Sequence, residues 1–311
     1  MTATSRASSR IRPATHADAP ALYDLARDAL TLDTFTRNLL IEKLFKCPRT
    51  PDFVWTTYLA EGDERAVGFL QSVARPAARK AWIGLFAVQA AWRRHGIARA
   101  LFERARAGWP QRIEEVEVLA IPGNYFAPGL DPRYTEAVCF LERLGFERFR
   151  DCVNMVADLS HLFDTGADEQ RLAAAHTEVR RARPDDAGGL DAFFAQHFGD
   201  DWRFEASLAM ENEPPALHLA LQADRIIGFA AHSTQNREWG FFGPMGTAPE
   251  ARGRGVGRVL LRKCLNDLRA AGHRTALIPW VGPIAFYSQW CGARVERVFW
   301  RYRLAMRAAQ S

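Results

Sequence analysis

Two short segments of this 311-residue chain carry residue types suited to holding a phosphate. The first is Arg93-Arg94-His95-Gly96-Ile97-Ala98 and the second is Arg252-Gly253-Arg254-Gly255-Val256-Gly257, so both follow the pattern Arg-x-x-Gly-x-(Gly/Ala). Each follows an apolar, strand-like run, and each opens a stretch with helical patterning, from Arg99 in one case and Arg258 in the other. A strand, a small-residue loop and a helix start aim backbone N–H groups and the positive end of a helix dipole at one point. That arrangement suits a pyrophosphate. Its occurrence twice implies a duplicated fold for a nucleotide cofactor.

The loops need elements to aim them, and the chain supplies these in duplicate. Residues 12–22 match residues 180–190 at an offset of 168, and the loops are offset by 159, from Arg93 to Arg252. Two matches in one order at nearly one spacing mark an internal repeat. Each half opens on a short strand (Ile11 to Ala14; Val179 to Ala182), followed by Asp18 or Asp186, a residue type that caps helix starts. A variable helical stretch and two strands follow, around Ala66–Leu70 and Arg225–Ala230. A central strand (Trp82 to Val88; Trp239 to Thr247) then leads into each loop. Past the loop helix come another strand (Glu115 to Ala120; Thr275 to Pro279), a helix and a closing strand. This order predicts a mixed α/β sheet in each half. The polar, Ala-rich stretch from Ser160 to His176 reads as a linker with a short helix. It separates an N-terminal domain at 1–159 from a C-terminal domain at 177–311, with 160–176 between them.

Hydrophobic content of 48% and charged content of 25% are those of an ordinary globular protein, and the length suits two domains. The net charge of +5 is modest, and the run Arg180-Arg181-Ala182-Arg183 is too short for a nucleic-acid surface, so no nucleic-acid partner is expected. The five cysteines, Cys47, Cys139, Cys152, Cys264 and Cys291, form no C-x-x-C pair, which argues against a disulfide framework or a metal site. Met1 to Arg12 has no apolar core and no run approaches membrane-spanning length, so the expected setting is the cytoplasm, without a membrane partner.

The segment Thr247-Ala248-Pro249-Glu250-Ala251-Arg252-Gly253-Arg254-Gly255-Val256-Gly257 is similar, almost residue for residue, to the acetyl-CoA loop of the GNAT superfamily of N-acetyltransferases. Val88 to Ala98 resembles the same loop, with Ala90 in place of the usual Pro and Ala98 in place of the last Gly. A helix ending in Gly-Phe is the family's second element. Leu141-Glu142-Arg143-Leu144-Gly145-Phe146 matches it, and Phe286 to Ala293 matches more loosely. The resemblance implies an α/β (α+β) fold of two tandem GNAT-like domains, each a mixed, mostly antiparallel sheet flanked by helices.

It also implies chemistry. Arg252–Gly257 and Arg93–Ala98 would hold the diphosphate of acetyl-CoA. The backbones of Met245, Gly246 and Thr247, and of Phe86, Ala87 and Val88, would lie at a splayed strand end, bonding the pantetheine arm and polarising the acetyl carbonyl. Tyr287 would give a proton to the departing thiolate. It stands five residues before Gly292, one more than the usual spacing, and the first half has Phe140 or Leu141 in its place, neither able to donate a proton. The expectation is an acetyl-CoA-dependent N-acetyltransferase acting on a small amine through its C-terminal half. A silent acyl-CoA-binding or regulatory protein and an enzyme acting on a protein amine are the alternatives. The family's Asn seven residues before the Tyr is replaced by Trp280 and Tyr134, so that contact is not carried over. No general base stands out: Glu238 reads as a solvated strand-end charge, and His218 and His232 as packed strand residues. Asp200, Asp201, Glu205, Glu211 and Glu213, with Trp202 and Phe204, lie in the variable region that borders the acceptor site in this fold.

Overall fold

The computed structural model describes residues 10–46, 53–110 and 113–306, so Cys47 lies outside the described residues. The chain divides into two units, residues 1–151 with 299–311 and residues 152–298.

The first unit runs β1 (Arg10–Pro13), α1 (Ala19–Ala29), α2 (Arg37–Phe45), β2 (Val54–Gly62), β3 (Arg65–Arg75), β4 (Lys80–Val88), α3 (Ile97–Ala107), β5 (Glu115–Val118) and α4 (Thr135–Arg143). Strands β1 to β4 pair antiparallel in sequence order, and β4 pairs parallel with β5, from Lys80↔Glu115 to Ile83↔Val118. Residues 303–305 pair antiparallel with β5, Arg303 opposite Glu117. The sheet is therefore mixed and mostly antiparallel.

The second unit takes up strand β6 (Glu147–Asp158) from residue 152, then runs α5 (Gly166–Ala174), β7 (Thr177–Arg181), α6 (Ala187–His197), α7 (Asp200–Met210), β8 (Leu217–Gln222), β9 (Arg225–His232), β10 (Phe242–Thr247), α8 (Val256–Ala270), β11 (Thr275–Val281) and α9 (Ile284–Cys291), and it enters β12 (Arg294–Ala305). Strands β7 to β10 pair antiparallel in order. Strand β11 pairs antiparallel with residues 153–158 of β6. The compact units therefore differ from the contiguous ranges 1–159, 160–176 and 177–311. Strands β6 and β12 each begin in one unit and end in the other, and a strand pattern does not say which sheet completes itself with it. Segment 160–176 carries α5, whose Leu172 belongs to the second unit's core.

The two units repeat local detail. Arg12 forks onto Asp18 at 2.7 and 2.9 Å, and Arg180 forks onto Asp186 at 2.8 Å on both oxygens. The two carboxylates do not cap α1 and α6. Each reaches back to the N–H of the residue three before it, Thr15 or Arg183, and so closes a single 3-10 turn at the helix entry. The arginine six residues upstream draws the carboxylate away from the capping position. Helix α8 shows why its sequence is helical: Val256, Val259, Leu260, Cys264, Leu265 and Leu268 recur at three- and four-residue steps and are fully buried against the sheet. The central strand of the second unit starts at Phe242 rather than Trp239. Arg237–Trp239 forms a 3-10 turn closed by Gly240.

Candidate functional site

The backbones of the two loops superpose in dihedral terms. Each β4-type strand runs into a 3-10 turn, Ala90–Trp92 or Pro249–Ala251, and then into an extended arginine: Arg93 at φ −68°, ψ 156° and Arg252 at φ −66°, ψ 150°. The next residue is left-handed in both, Arg94 at φ 66° and Gly253 at φ 76°. Gly96 at φ 85° and Gly255 at φ 88° then stand at the starts of α3 and α8. A left-handed residue directly before a helix turns the first N–H groups outward, and this is where glycine costs least.

The strand leading into each loop parts from its parallel neighbour. In the second unit β10 meets β11 through one bridge, Phe241↔Leu277, and the Leu277 N–H bonds the Gly240 carbonyl at 3.0 Å. Among the described residues, 242–247 have no ladder partner on that side. Both strands carry a bulge at the same place, between Ile83 and Phe86 and between Phe242 and Met245. The first unit fills its bulge. The Gln71 side chain accepts from the Leu85 N–H at 3.1 Å and donates to the Lys43 carbonyl, and it sits against Gly84. In the second unit Ala231 stands where Gln71 does, and Pro244 where Leu85 does, so neither the plug nor the donor is present.

Three elements converge on the open strand. A side chain on Gly257 would meet Phe286 of α9 at 3.5 Å and Met245 of β10 at 3.6 Å, so the start of α8, the strand end and α9 share one corner. Across the strand, a Cβ on Gly246 would collide with the ring of Phe198. Phe198 stacks on Trp202 of α7 with centroids 4.9 Å apart and planes 9° off parallel. Phe198 was not singled out from sequence; its signal was the aromatic run Phe193-Phe194 with Phe198 four residues on, which reads equally well as core.

Tyr287 lies on α9 and is buried. Its ring meets Phe242 edge-on at 6.1 Å and Phe286 edge-on at 5.1 Å. Burial pushes the phenol above the ordinary tyrosine value, so the proton stays in place across neutral pH. Phe140, five residues before Gly145, takes the matching place on α4 and packs on Phe86 at 6.0 Å.

Other sequence candidates fall elsewhere. Arg93 is turned inward, with its Nε on the Val88 carbonyl at 3.2 Å and Nη1 on Glu136 at 3.3 Å. His218 and His232 both face Asp267 of α8, at 2.6 and 3.2 Å, and Arg181 reaches the same carboxylate at 2.7 Å. Burial holds His218 below the ordinary histidine value, so the neutral ring donates to an ionised Asp267. Both histidines therefore serve the packing of α8. Glu238 is exposed, as are Asp200, Asp201, Glu211 and Glu213, while Glu205 is buried on α7. Trp280 is left-handed and its N–H bonds Asn154 at 3.0 Å; the Tyr134 hydroxyl bonds Asp33 at 2.6 Å. The long loop 124–134 is mostly buried. Asn124 bonds Lys43 Nζ at 3.0 Å, and Phe126 meets Phe35 edge-on at 5.6 Å. Among the described residues no group of three His, Cys, Asp or Glu side chains is placed to hold a metal ion, and no helix is long and apolar enough to cross a membrane.

Two family models match the sequence: an acetyltransferase (GNAT) domain over residues 54–148 and the acetyltransferase (GNAT) family over residues 180–293. No curated protein matches the chain. Among solved structures, a glucosamine N-acetyltransferase region of a fungal multi-domain β-N-acetylglucosaminidase superposes with TM-score 0.82 at 16% identity, covering 96% of this chain and 38% of that one. The chain thus spans well under half the length of that enzyme. An N-acetyltransferase from Sphaerobacter thermophilus superposes with TM-score 0.74 at 17% identity over 99% of this chain and 98% of that one. A tandem GNAT protein from the clavulanic acid biosynthesis pathway gives TM-score 0.69 at 17% identity over 97% and 100%. At these identities the superpositions speak for the fold, and together with the two family matches they make this chain a member of the GNAT family, with two acetyltransferase domains in tandem.

Proposed function

We propose that the chain is an acetyl-CoA-dependent N-acetyltransferase that passes an acetyl group directly to the primary amine of a small molecule, and that the second unit does the chemistry. One observation carries this reading: the second unit alone combines a left-handed glycine loop, an unplugged strand edge and a phenol on the neighbouring helix.

The residues present fit the cofactor. The N–H groups at the start of α8 suit a diphosphate, and the bare strand edge at Met245, Gly246 and Thr247 suits the amides of a pantetheine arm. Bound acetyl-CoA supplies the activated acyl group. The strand-edge backbone orients the thioester carbonyl and favours charge developing on its oxygen. Tyr287 holds a proton for the sulfur as the carbon–sulfur bond breaks and the carbon–nitrogen bond forms. The amine's surplus proton leaves to solvent water, and the phenolate regains a proton from the same solvent. Phe198 and Trp202 wall the strand on the acceptor side and hold the amine near the carbonyl, where orientation does most of the work. The buried Glu205 and the exposed Asp200 and Asp201 suit a cationic acceptor. The direct test is thiol release from acetyl-CoA by the purified chain against pools of small primary amines. Release no faster with any pool than without amine would remove the enzymatic reading.

A further inference from the structure

Helix α5 lies outside the residues matched by either family model, yet it lies along α8. Four contacts fix it there. Arg262 Nη1 bonds the Asp164 carbonyl at 2.8 Å, Asn266 bonds the Phe163 backbone at 2.9 Å, Lys263 pairs with Glu169 at 3.0 Å, and Arg258 pairs with Asp168. Phe163 meets Asn266, Asp168 meets Arg258 and Arg171 approaches Gly255, so segment 163–171 runs against the direction of α8. The C-terminal end of α5 therefore points at the opening of α8, and Arg171 arrives beside Gly255: its Nη2 lies 2.7 Å from where a Gly255 side chain would begin.

We propose that Arg171 is a phosphate-clamping residue of the second unit, pairing with the diphosphate of acetyl-CoA. This rests on the cofactor reading above. Arg171 contacts Asp168 at 2.8 Å, but that carboxylate already carries Arg258, whose guanidinium lies over the Trp290 ring at 4.2 Å. Arg262 Nη1 also lies 3.9 Å from Asp168 Oδ2, so one carboxylate faces three arginines, and Arg171 is the surplus cation. It is also the exposed one: its side chain is 57% accessible against 18% for Arg258. Its position is set by a rigid neighbour rather than by solvent, and its planar fork suits paired phosphate oxygens. The clamp is supplied by the same unit as the loop, but from a helix that precedes the residues the family model matches. The first unit has no described counterpart, since a side chain on Gly96 would meet no atom within 4 Å.

The test is calorimetric titration of the full chain with CoA, in a Gly96→Glu background so that only the second loop is read. Arg171→Gln should weaken CoA binding roughly tenfold, the scale of one charge-assisted contact at a half-exposed site. Arg171→Lys should recover part of the loss, and unfolding temperatures without CoA should not move. The loss should persist with 3′-dephospho-CoA; its disappearance there would move the contact to the 3′-phosphate and overturn the diphosphate assignment. Equal affinity of Arg171→Gln and its parent would overturn the clamp while leaving the cofactor reading standing. A parent that binds no CoA would overturn both.

Discussion

The two glycine loops share a backbone and differ in almost everything around it. Both pass through an extended arginine and two left-handed residues before the helix starts. In the second loop both left-handed positions are glycine. In the first, Arg94 holds one of them at φ 66°, a conformation that costs a side-chain-bearing residue on the order of 1 kcal/mol. Arg93 bends back onto Val88 and Glu136, whereas Arg252 is exposed and, among the described residues, has no ion-pair partner. Gln71 plugs the first strand's bulge, and Phe140 stands where the second unit has Tyr287. On the proposed function, a fold keeps the geometry of a loop while the groups around it change. A loop motif is thus evidence of ancestry in both units, and of present chemistry only where the strand edge and the helix opposite agree with it.

The largest expected effect breaks the comparison at its root. Gly255→Glu places bulk and negative charge in the cradle, and it should abolish turnover and CoA binding by the second unit without unfolding the chain. Gly96→Glu should spare turnover. Calorimetry and a thiol-release assay on both variants check this, and a dead Gly96→Glu beside an active Gly255→Glu would exchange the roles of the units.

Next in size is Tyr287→Phe. It should lower kcat by roughly ten- to a thousand-fold, the range of a positioned acid, with acetyl-CoA affinity nearly unchanged. Because the ring still fills its space, thermal stability should hold. Full turnover in this variant would leave Tyr287 as a packed aromatic and weaken the contrast with Phe140.

A smaller effect sharpens the acceptor side. Trp202→Ala removes the ring stacked on Phe198 and should raise the acceptor KM by roughly tenfold, the scale of one aromatic contact, while the KM for acetyl-CoA stays put. A change in the acetyl-CoA KM alone would place the pair on the cofactor side instead.

The smallest effect concerns acid. The folded state keeps His218 neutral below its ordinary value of 6.5, so the unfolded chain takes up that proton first as the pH falls. The stabilisation is therefore whole above pH 6.5 and is lost below it, with Asp267 adding a loss in the same direction near its ordinary value of 3.8. The first unit has Tyr58, Ser72 and Trp109 at this corner, with Trp109 Nε1 on Ser72 Oγ at 2.7 Å. Hydrogen exchange at pH 7.5 and 5.5 should show the second unit loosening and the first unchanged, with His218→Gln flattening the difference. Equal loosening of both units would remove the histidine cluster as its cause.

The sequence made the duplicated loops legible because left-handed positions before a helix start favour glycine within a few residues, which is local chemistry. It made the Arg12–Asp18 and Arg180–Asp186 pairs visible as a repeat, but not as forks, because a capping residue and a back-bonded one look alike in sequence. Phe198, Gln71 and Arg171 stayed hidden. Each acts on a strand or loop far from it in the chain, and its residue type reads as core or as surface until packing places it. The exchange of β6 and β12 was invisible for a similar reason: alternation specifies a strand without naming its partner.

That exchange has a consequence for biosynthesis. The pairing that covers β5 comes from residues 303–305, which are translated after every residue of the 152–298 unit. The second unit draws its own strands, 153–158 and 275–281, from chain already made by then. The usual order, in which the amino-terminal domain settles first on the ribosome, is thereby reversed. The earlier-made unit must wait with an open strand edge while the later one closes, so it is the older half of the nascent chain that stays exposed to mispairing longest.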